Sequence, residues 1–427
     1  MNIVTQLSIF DYTQIEELGD LERLKLVINN VPDRKIIYKL RKLRGKGRND
    51  WPVEAMWNAF LSSFVFQHPT IEALLRELSR NSQLRKICGI KPKYIRQKNG
   101  TIKVEAAPPA SAFSKFLKNL MRCQKELDEM FKELVDFMYD NLDQFGEILA
   151  LDGKAISSFA THASKEEKPD GRRDLDANWC TKKYTESTNT KGEKVVKKVT
   201  WFGYRLHLIV DAAYELPVAF SVTKASDSEK TEGKKLTGNL DKKKQETCKY
   251  LLADKGYDGV PFIEQLEKFK ISPIIDIRNC WQGEETRQFK DTDIVYSYDG
   301  KVYYVDDSGE KIELRYLGYD KGSKSSRYGF HPKYKDKRVF RIPLNTDKRV
   351  FVPVARCSKK WVRLYAMRTS VERVNGRIDR DYGFENHTIR GLRKMTMYIS
   401  MAFITMLSMA KGKIKENRKE HLAALIA

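Results

Sequence analysis

The stretch YAMRTSVERVNGRIDRDYG, residues 365–383, decides how this chain is to be read. It lacks proline and has good helix formers at most positions, so it reads as one helix. Tyr365, Arg368, Glu372 and Asn375 fall at i, i+3, i+7 and i+10, on a single face. A phenol, a guanidinium and a carboxylate on one stripe suit a buried core poorly. They suit a place where a metal and a phosphodiester meet, because a glutamate ligates a hard cation while arginine and tyrosine hold phosphate oxygens. A solvated, charge-laced helix face gives the same pattern, so the reading turns on what the remaining sequence offers this glutamate.

It offers two more carboxylates. LALDG at 149–153 and LLADKG at 251–256 are each an apolar run followed at once by an aspartate, Asp152 and Asp254. An apolar run of this kind reads as a buried strand, and an acid directly after it lies at the carboxyl edge of the sheet, where ligands of open α/β sheets gather. The glycines that follow are expected to let the chain turn away tightly. With Glu372 from a helix packed across the sheet, three carboxylates converge. Alone they repel one another; together they suit two divalent cations, with Mg²⁺ the expected hard ion and Mn²⁺ able to substitute. Two such ions about 3.5–4 Å apart activate a water or a 3′-hydroxyl and stabilise the leaving oxygen of an in-line displacement.

Asp152 in LDGK, Asp254 in ADKGYDG and Glu372 in YAMRTSVERVNGRI resemble the DDE triad of bacterial insertion-sequence transposases. The helix matches that family's signature of tyrosine, two residues, arginine, three residues and glutamate in Tyr365, Arg368 and Glu372. Six residues further on the family has lysine; here Asp379 stands in that place, with Arg380 and Arg377 as candidates for its phosphate contact. GYRLHLIVDAAYELPVAFSVTKAS resembles the family's second and third strands, the helices from Trp51 to Ile90 its N-terminal domain, and a β-rich insertion before the glutamate is a family feature. The resemblance spans about residues 50–410. It implies an RNase H-like catalytic domain in which Asp152, Asp254 and Glu372 hold two Mg²⁺, and Tyr365 and Arg368 position phosphates. Water nicks the transposon end, and the freed 3′-hydroxyl attacks target DNA. It also implies a homodimer when two ends are brought together, and a bacterial cytoplasmic, nucleoid-associated setting. Two other readings stay open: a catalytically inactive, transposase-derived DNA-binding protein, and a stand-alone RNase H-like nuclease without strand transfer.

Bulk properties agree with a polyanionic partner. The 427 residues carry 79 Lys+Arg against 57 Asp+Glu, a net charge of +22, and are 41% hydrophobic. Such a balance points to nucleic acid ahead of an acidic membrane surface; the resemblance implies that it is double-stranded DNA, the transposon ends and the target. The six cysteines are scattered without a CxxC or a zinc spacing, which argues against structural zinc and against a disulfide framework. The first twenty residues have no basic segment ahead of an apolar run, unlike a signal peptide. The longest apolar stretch, Met395–Ala410, is interrupted by Thr, Tyr and Ser; it is too short for a confident membrane span and reads as a buried helix.

The expected architecture is α/β: a mixed sheet with flanking helices, a β-rich insertion, and an all-α N-terminal region. Residues 1–145 form the helical, basic, DNA-binding region. RKIIYKLRKLRGKGR at 34–48 has eight basic residues in fifteen and supplies Arg41, Lys42, Arg44, Lys46 and Arg48 as candidate DNA contacts. Two helices joined at Gln67–Thr70 follow, with Thr70 as N-cap, and then one long helix from Ala112 to Asn141. Residues 146–280 hold the first part of the core, 281–360 the insertion, 361–412 the closing helices and 413–427 a basic tail. Lys154–Lys198, polar and lysine-rich, reads as a long connection, and the run at 224–244 is polar and carries little pattern. Asp299-Gly300 marks a type I′ hairpin, and VFRIPL and RVFVPVA read as strands. Asp258 is a candidate second acid or a helix cap, His207 a structural histidine, and Trp51, Trp57, Trp201 and Trp361 packing residues with the capacity to stack on bases.

Overall fold

The structure is a computed structural model that describes residues 19–46, 49–160, 173–188, 194–334 and 338–425. Two compact units emerge. Met1–Leu142, Ile156–Tyr204 and Gly376–Ala427 form the first; Asp143–Ala155 and Arg205–Asn375 form the second.

The N-terminal part of the first unit contains helices α1 (Asp20–Asn30), α2 (Arg34–Arg44), α3 (Val53–Val65), α4 (Ile71–Arg80) and α5 (Ser82–Cys88), strands β1 (Lys93–Arg96) and β2 (Ile102–Glu105), and helices α6 (Ala110–Leu120) and α7 (Gln124–Asn141). It is therefore not all-α. β1 and β2 pair antiparallel around a turn at Gln97–Gly100, closed by Gly100 N–H to the Gln97 carbonyl at 3.0 Å, with Gly100 at a φ of +82°. The Asn-Gly pair there is itself a hairpin signal in the sequence. Thr70 caps α4 as expected, its hydroxyl accepting from Ala73 N–H at 3.1 Å. The helix expected after it breaks at Asn81, whose side chain accepts from Leu84 N–H at 2.9 Å and starts α5. Ala112–Asn141 likewise divides into two helices, with a turn at Met121–Cys123.

The second unit is built on a mixed sheet. β3 (Ile148–Ser157) starts in it; β4 (Asn178–Thr188) pairs antiparallel with the first part of the long β5 (Lys194–Asp211), in the first unit. β6 (Pro217–Lys224), α8 (Glu229–Gly238), α9 (Lys242–Thr247), β7 (Tyr250–Ala253), α10 (Val260–Lys268) and β8 (Ser272–Ile275) follow. The strand order is β4-β5-β3-β7-β8, with β6 also on β5, and β3, β7 and β8 run parallel. The expected strands of the core are all present. Lys154–Lys198 is not a plain connection, and the run at 224–244 is regular structure. Residues 178–188 make β4; residues 161–172 and 189–193 lie outside the described residues. The lysine-rich run makes α8 and α9, started by Ser228 accepting from Thr231 N–H and Asp241 accepting from Lys244 N–H.

Gly233 explains why α8 has so little side-chain pattern. A Cβ there meets the Tyr257 ring at 2.6 Å and Leu151 at 3.1 Å. Helix-interior Gly→Ala ordinarily gains up to about 1 kcal/mol. Here Gly233→Ala is expected to cost roughly 1–3 kcal/mol by overpacking, seen as a lower midpoint in urea unfolding.

The insertion comprises β9 (Thr286–Gln288), β10 (Ile294–Ser297), β11 (Val302–Val305), β12 (Lys311–Glu313), β13 (Arg315–Asp320), β14 (Ser325–Gly329) and β15 (Phe340–Pro343), in sheets ordered β12-β11-β10-β9 and β13-β14-β15. They enclose a core that includes Ile294, Tyr296, Tyr304, Tyr328, Ile342 and Phe351. The β10–β11 hairpin is present, but its turn is not type I′. Gly300 N–H bonds the Ser297 carbonyl at 3.1 Å, and Gly300 has positive φ whereas Asp299 does not; this is a type I turn closed by a left-handed glycine. RVFVPVA forms no strand.

Three helices close the chain: α11 (Lys359–Ala366), α12 (Thr369–Arg380) and α13 (Leu392–Lys415). α13 is the expected buried helix. It packs on α1, α3 and α7 in the first unit, and Gly412 admits Leu26 where a Cβ would stand 2.4 Å from its Cγ. Its start is fixed by Asp174, buried, which accepts from Ser158 Oγ at 2.6 Å and Gly391 N–H at 3.0 Å. Among the described residues no helix is long and apolar enough to cross a membrane.

Candidate active site

Parallel pairing sets the site. Leu151 is in register with Ala253, and Ala253 with Ile275. The next residue on each chain is an aspartate: Asp152, Asp254 and Asp276. Adjacent strands lie about 4.8 Å apart, so these acids form a row at one edge of the sheet. Asp276, missed in the sequence, was signalled by the same pattern, an apolar PII followed by Asp. Asp254 does end its strand. Asp152 does not, because β3 continues to Ser157 on its pairing with β5; it sits where the partnership with β7 stops.

Gly256 lies in the expected turn, closed by Tyr257 N–H to the Asp254 carbonyl at 3.1 Å, and also admits a close approach; Gly153 acts by close approach alone. A Cβ on Gly256 would stand 2.7 Å from Asp254 Oδ1, which accepts from Gly256 N–H at 2.8 Å. Gly153 is inside β3, and a Cβ there would meet Glu229 Oε1 at 3.0 Å and the Tyr257 hydroxyl at 3.3 Å.

The stretch that reads as one helix is two. Tyr365 is in α11, Arg368 lies in the turn, and Glu372 and Asn375 are in α12. The Arg368 N–H bonds the Tyr365 carbonyl at 3.0 Å, and Ser370 N–H bonds Met367 at 3.0 Å; these short-range bonds tighten the chain where a continuous helix would run on. The residues still meet. Arg368 Nη2 is 2.7 Å from Glu372 Oε1, and Asn375 Nδ2 lies 3.5 Å from Asp152 Oδ2, which lays α12 against the end of the β3–β7 pairing. α11 is tied to β7 by Lys360 Nζ donating to the Tyr250 hydroxyl at 2.6 Å. Trp361 stacks on Tyr365 at 4.5 Å between centroids, so this tryptophan supports the tyrosine.

Electrostatics bind the group together. Burial opposes the Arg368 charge, but the hydrogen bond to Glu372 and the fields of Tyr365 and Asp152 outweigh it and hold its pKa above the ordinary value. Burial, with the charges of Asp276 and Asp254, raises the Tyr365 phenol, which stays protonated and able to donate. Among the described residues no three His, Cys, Asp or Glu side chains are gathered tightly enough to hold a metal: Glu372 is turned to Arg368 and its side chain is 51% exposed. The donor set nonetheless fits a hard cation. Carboxylate oxygens are its preferred ligands, and the buried Tyr257 hydroxyl, without a partner, is under the charges of Asp152, Glu229 and Asp254.

The remaining candidates lie elsewhere. Arg380, in the first unit, pairs with Asp381 at 2.7 Å. α2 buries Ile36, Ile37 and Leu40 and exposes Arg41, Lys42 and, beyond its end, Lys46; Arg44 is half-buried. Arg41 pairs with Glu54. Arg48 lies outside the described residues. His207 is buried and bonded to Thr223 Oγ1 at 3.0 Å, as a structural histidine should be. Trp57 and Trp201 are buried. Asp258 is neither a cap nor a member of the acid row: it is buried and holds Arg349, and it accepts from Arg278 N–H at 3.0 Å.

The sequence matches the family described as "Transposase DDE domain" over residues 143–408. The chain belongs to that family. A DDE transposase is an enzyme that cuts and joins DNA, and the match runs from just before β3 into α13, taking in Asp152, Asp254 and Glu372. No curated protein matches the chain. Among solved structures it is similar to a piggyBac transposase synaptic complex with hairpin DNA, determined by cryo-electron microscopy. That likeness has a TM-score of 0.36 and 9% identity over 96% of this chain and 80% of the other.

Proposed function

We propose that this transposase is encoded by a bacterial insertion sequence, binds its terminal inverted repeats, and cleaves and transfers DNA strands from an RNase H-like core. The observation that carries the reading is the register of β3 and β7, which puts Asp152 beside Asp254 while α12 brings Asn375 to Asp152. Asp152, Asp254 and Glu372 would hold two Mg²⁺, which when bound supply Lewis-acid activation of the attacking oxygen and stabilise the leaving one. Arg368 presents a planar fork suited to phosphate oxygens, and the protonated Tyr365 donates to the same strand. For Arg368 to reach DNA it must release Glu372, which frees that carboxylate for its own task.

Synapsis of two ends calls for a homodimer acting in the bacterial cytoplasm at the nucleoid. The test is Mg²⁺-dependent nicking of the DNA that flanks the coding sequence, followed by joining of a pre-cleaved end to target DNA. Nicking without joining would mark a nuclease, and binding without nicking an inactive DNA-binding derivative.

The basic segment is proposed as a DNA contact. Replacing Arg41, Lys42, Arg44, Lys46 and Arg48 with Gln is expected to weaken DNA binding by roughly tenfold or more at moderate salt. The slope of log K against log salt is expected to flatten by about 0.9 for each phosphate that is no longer neutralised. Filter binding at a series of salt concentrations reads both; an unchanged slope removes this segment from the interface.

A further inference from the structure

Behind the row of aspartates lies a buried polar group that the three proposed catalytic carboxylates do not account for. Tyr257 follows Asp254 by three residues and is 1% exposed. Its ring packs on Gly233 of α8. Its hydroxyl has no hydrogen-bond partner, and Asp152, Glu229 and Asp254 all act on it electrostatically. Leaving a buried hydroxyl unmatched costs about 1–3 kcal/mol, so the position implies a partner that arrives from outside the chain.

Glu229 is the second element. It opens α8, and a first-turn glutamate ordinarily faces water and complements the helix dipole. This one is 17% exposed and stands over Gly153, where a Cβ would come within 3.0 Å of its Oε1, so a glycine next to Asp152 gives it room. Arg205, 6% exposed, lies 3.5 Å from its Oε1 and is held by donating to the Asp227 carbonyl at 3.1 Å. An acid has thus been brought inward over Gly153, where it and the unmatched Tyr257 hydroxyl lie 3.0 and 3.3 Å from the place a Cβ would take.

We propose that Glu229 is a fourth acidic group of the divalent-cation site and that the Tyr257 hydroxyl is the hydrogen-bonding partner of water carried in with the cation. Mg²⁺ gives up its water reluctantly and is commonly held through one or two carboxylates with several waters retained. Groups that touch that water are expected to tune affinity by about 10–100-fold. The inference rests on the reading of Asp152 and Asp254 as cation ligands.

The test is calorimetric titration of the full chain, free of DNA, with Mn²⁺, alongside its thermal unfolding without metal. Glu229→Gln and Tyr257→Phe are each expected to weaken Mn²⁺ binding by about tenfold, whereas Glu232→Gln, the other first-turn acid of α8, leaves it unchanged. Tyr257→Phe removes only an unmatched hydroxyl, so its metal-free stability should equal or exceed that of the parent chain; this variant decides the matter if Glu229→Gln folds poorly. If Asp152→Asn loses Mn²⁺ while Glu229→Gln and Tyr257→Phe bind it like the parent, the fourth acid is wrong and the assignment of Asp152 survives. If the parent chain binds no Mn²⁺, both fall.

Discussion

Asp152→Asn is expected to reduce Mg²⁺-dependent nicking by at least about a thousandfold, a loss on the order of 4 kcal/mol of transition-state stabilisation. The substitution keeps the shape of the side chain and its place beside Asp254, so the sheet edge should remain intact; what goes is a negative charge needed to hold a cation. Asp254→Asn and Glu372→Gln should fall equally far. Groups that act as one unit are not additive, so the triple variant should be no slower than the worst single one. Rates on a supercoiled plasmid carrying the flanking DNA would check this, with circular dichroism to confirm folding. Equal nicking by the parent and triple variants would sink the assignment of the site.

Asp258→Ala is expected to lower stability by about 3–5 kcal/mol, because removing one member of a buried ion pair strands the other. Asp258 is 1% exposed as a side chain. Arg349 Nε lies 3.2 Å from both of its carboxylate oxygens, and its charge also bears on the buried Arg356. Burial lowers Arg356 to about 10, yet it remains a cation that donates to the carbonyls of Ile275 at 3.0 Å and Arg349 at 2.7 Å. The variant therefore leaves two guanidinium groups without their shared counter-charge. Differential scanning calorimetry should show the transition lowered by roughly 3–6 °C; a change under about 1 °C would mean that solvent, not Asp258, balances Arg349.

Much of this was legible in sequence, for stated reasons. Apolar runs ending in Asp identify β3 and β7 because burial on both faces leaves no alternation to confuse. The spacing of Tyr365, Arg368 and Glu372 points to one site even though the single helix it implies is two: the break at Met367-Arg368 depends on backbone bonds that no side chain announces. α8 was hidden for the opposite reason. Its contact with the sheet runs through Gly233 and the ring of Tyr257, so no apolar stripe marks it. The role of Gly153 was misread because a glycine after an acid suggests a turn, whereas here it admits a glutamate from a distant helix. Asp258 illustrates the limit of local reading, since its partners are 20 and 91 residues away.

The clasp around Asp258 also bears on how the insertion could be exchanged. The segment before it, at Ile275 and Arg278, and the segment after it, at Arg349 and Arg356, are fastened to each other by Arg349 Nη2 to the Arg278 carbonyl at 2.7 Å and by Arg356 to Ile275. Chain length between two points already fixed together is nearly free to vary, since each doubling of a loop adds only about 0.6 kcal/mol of closure entropy. The β-rich segment is thus a cassette on a closed ring: its size and surface can be remodelled, or another small domain set in its place, without moving the helix that carries Glu372.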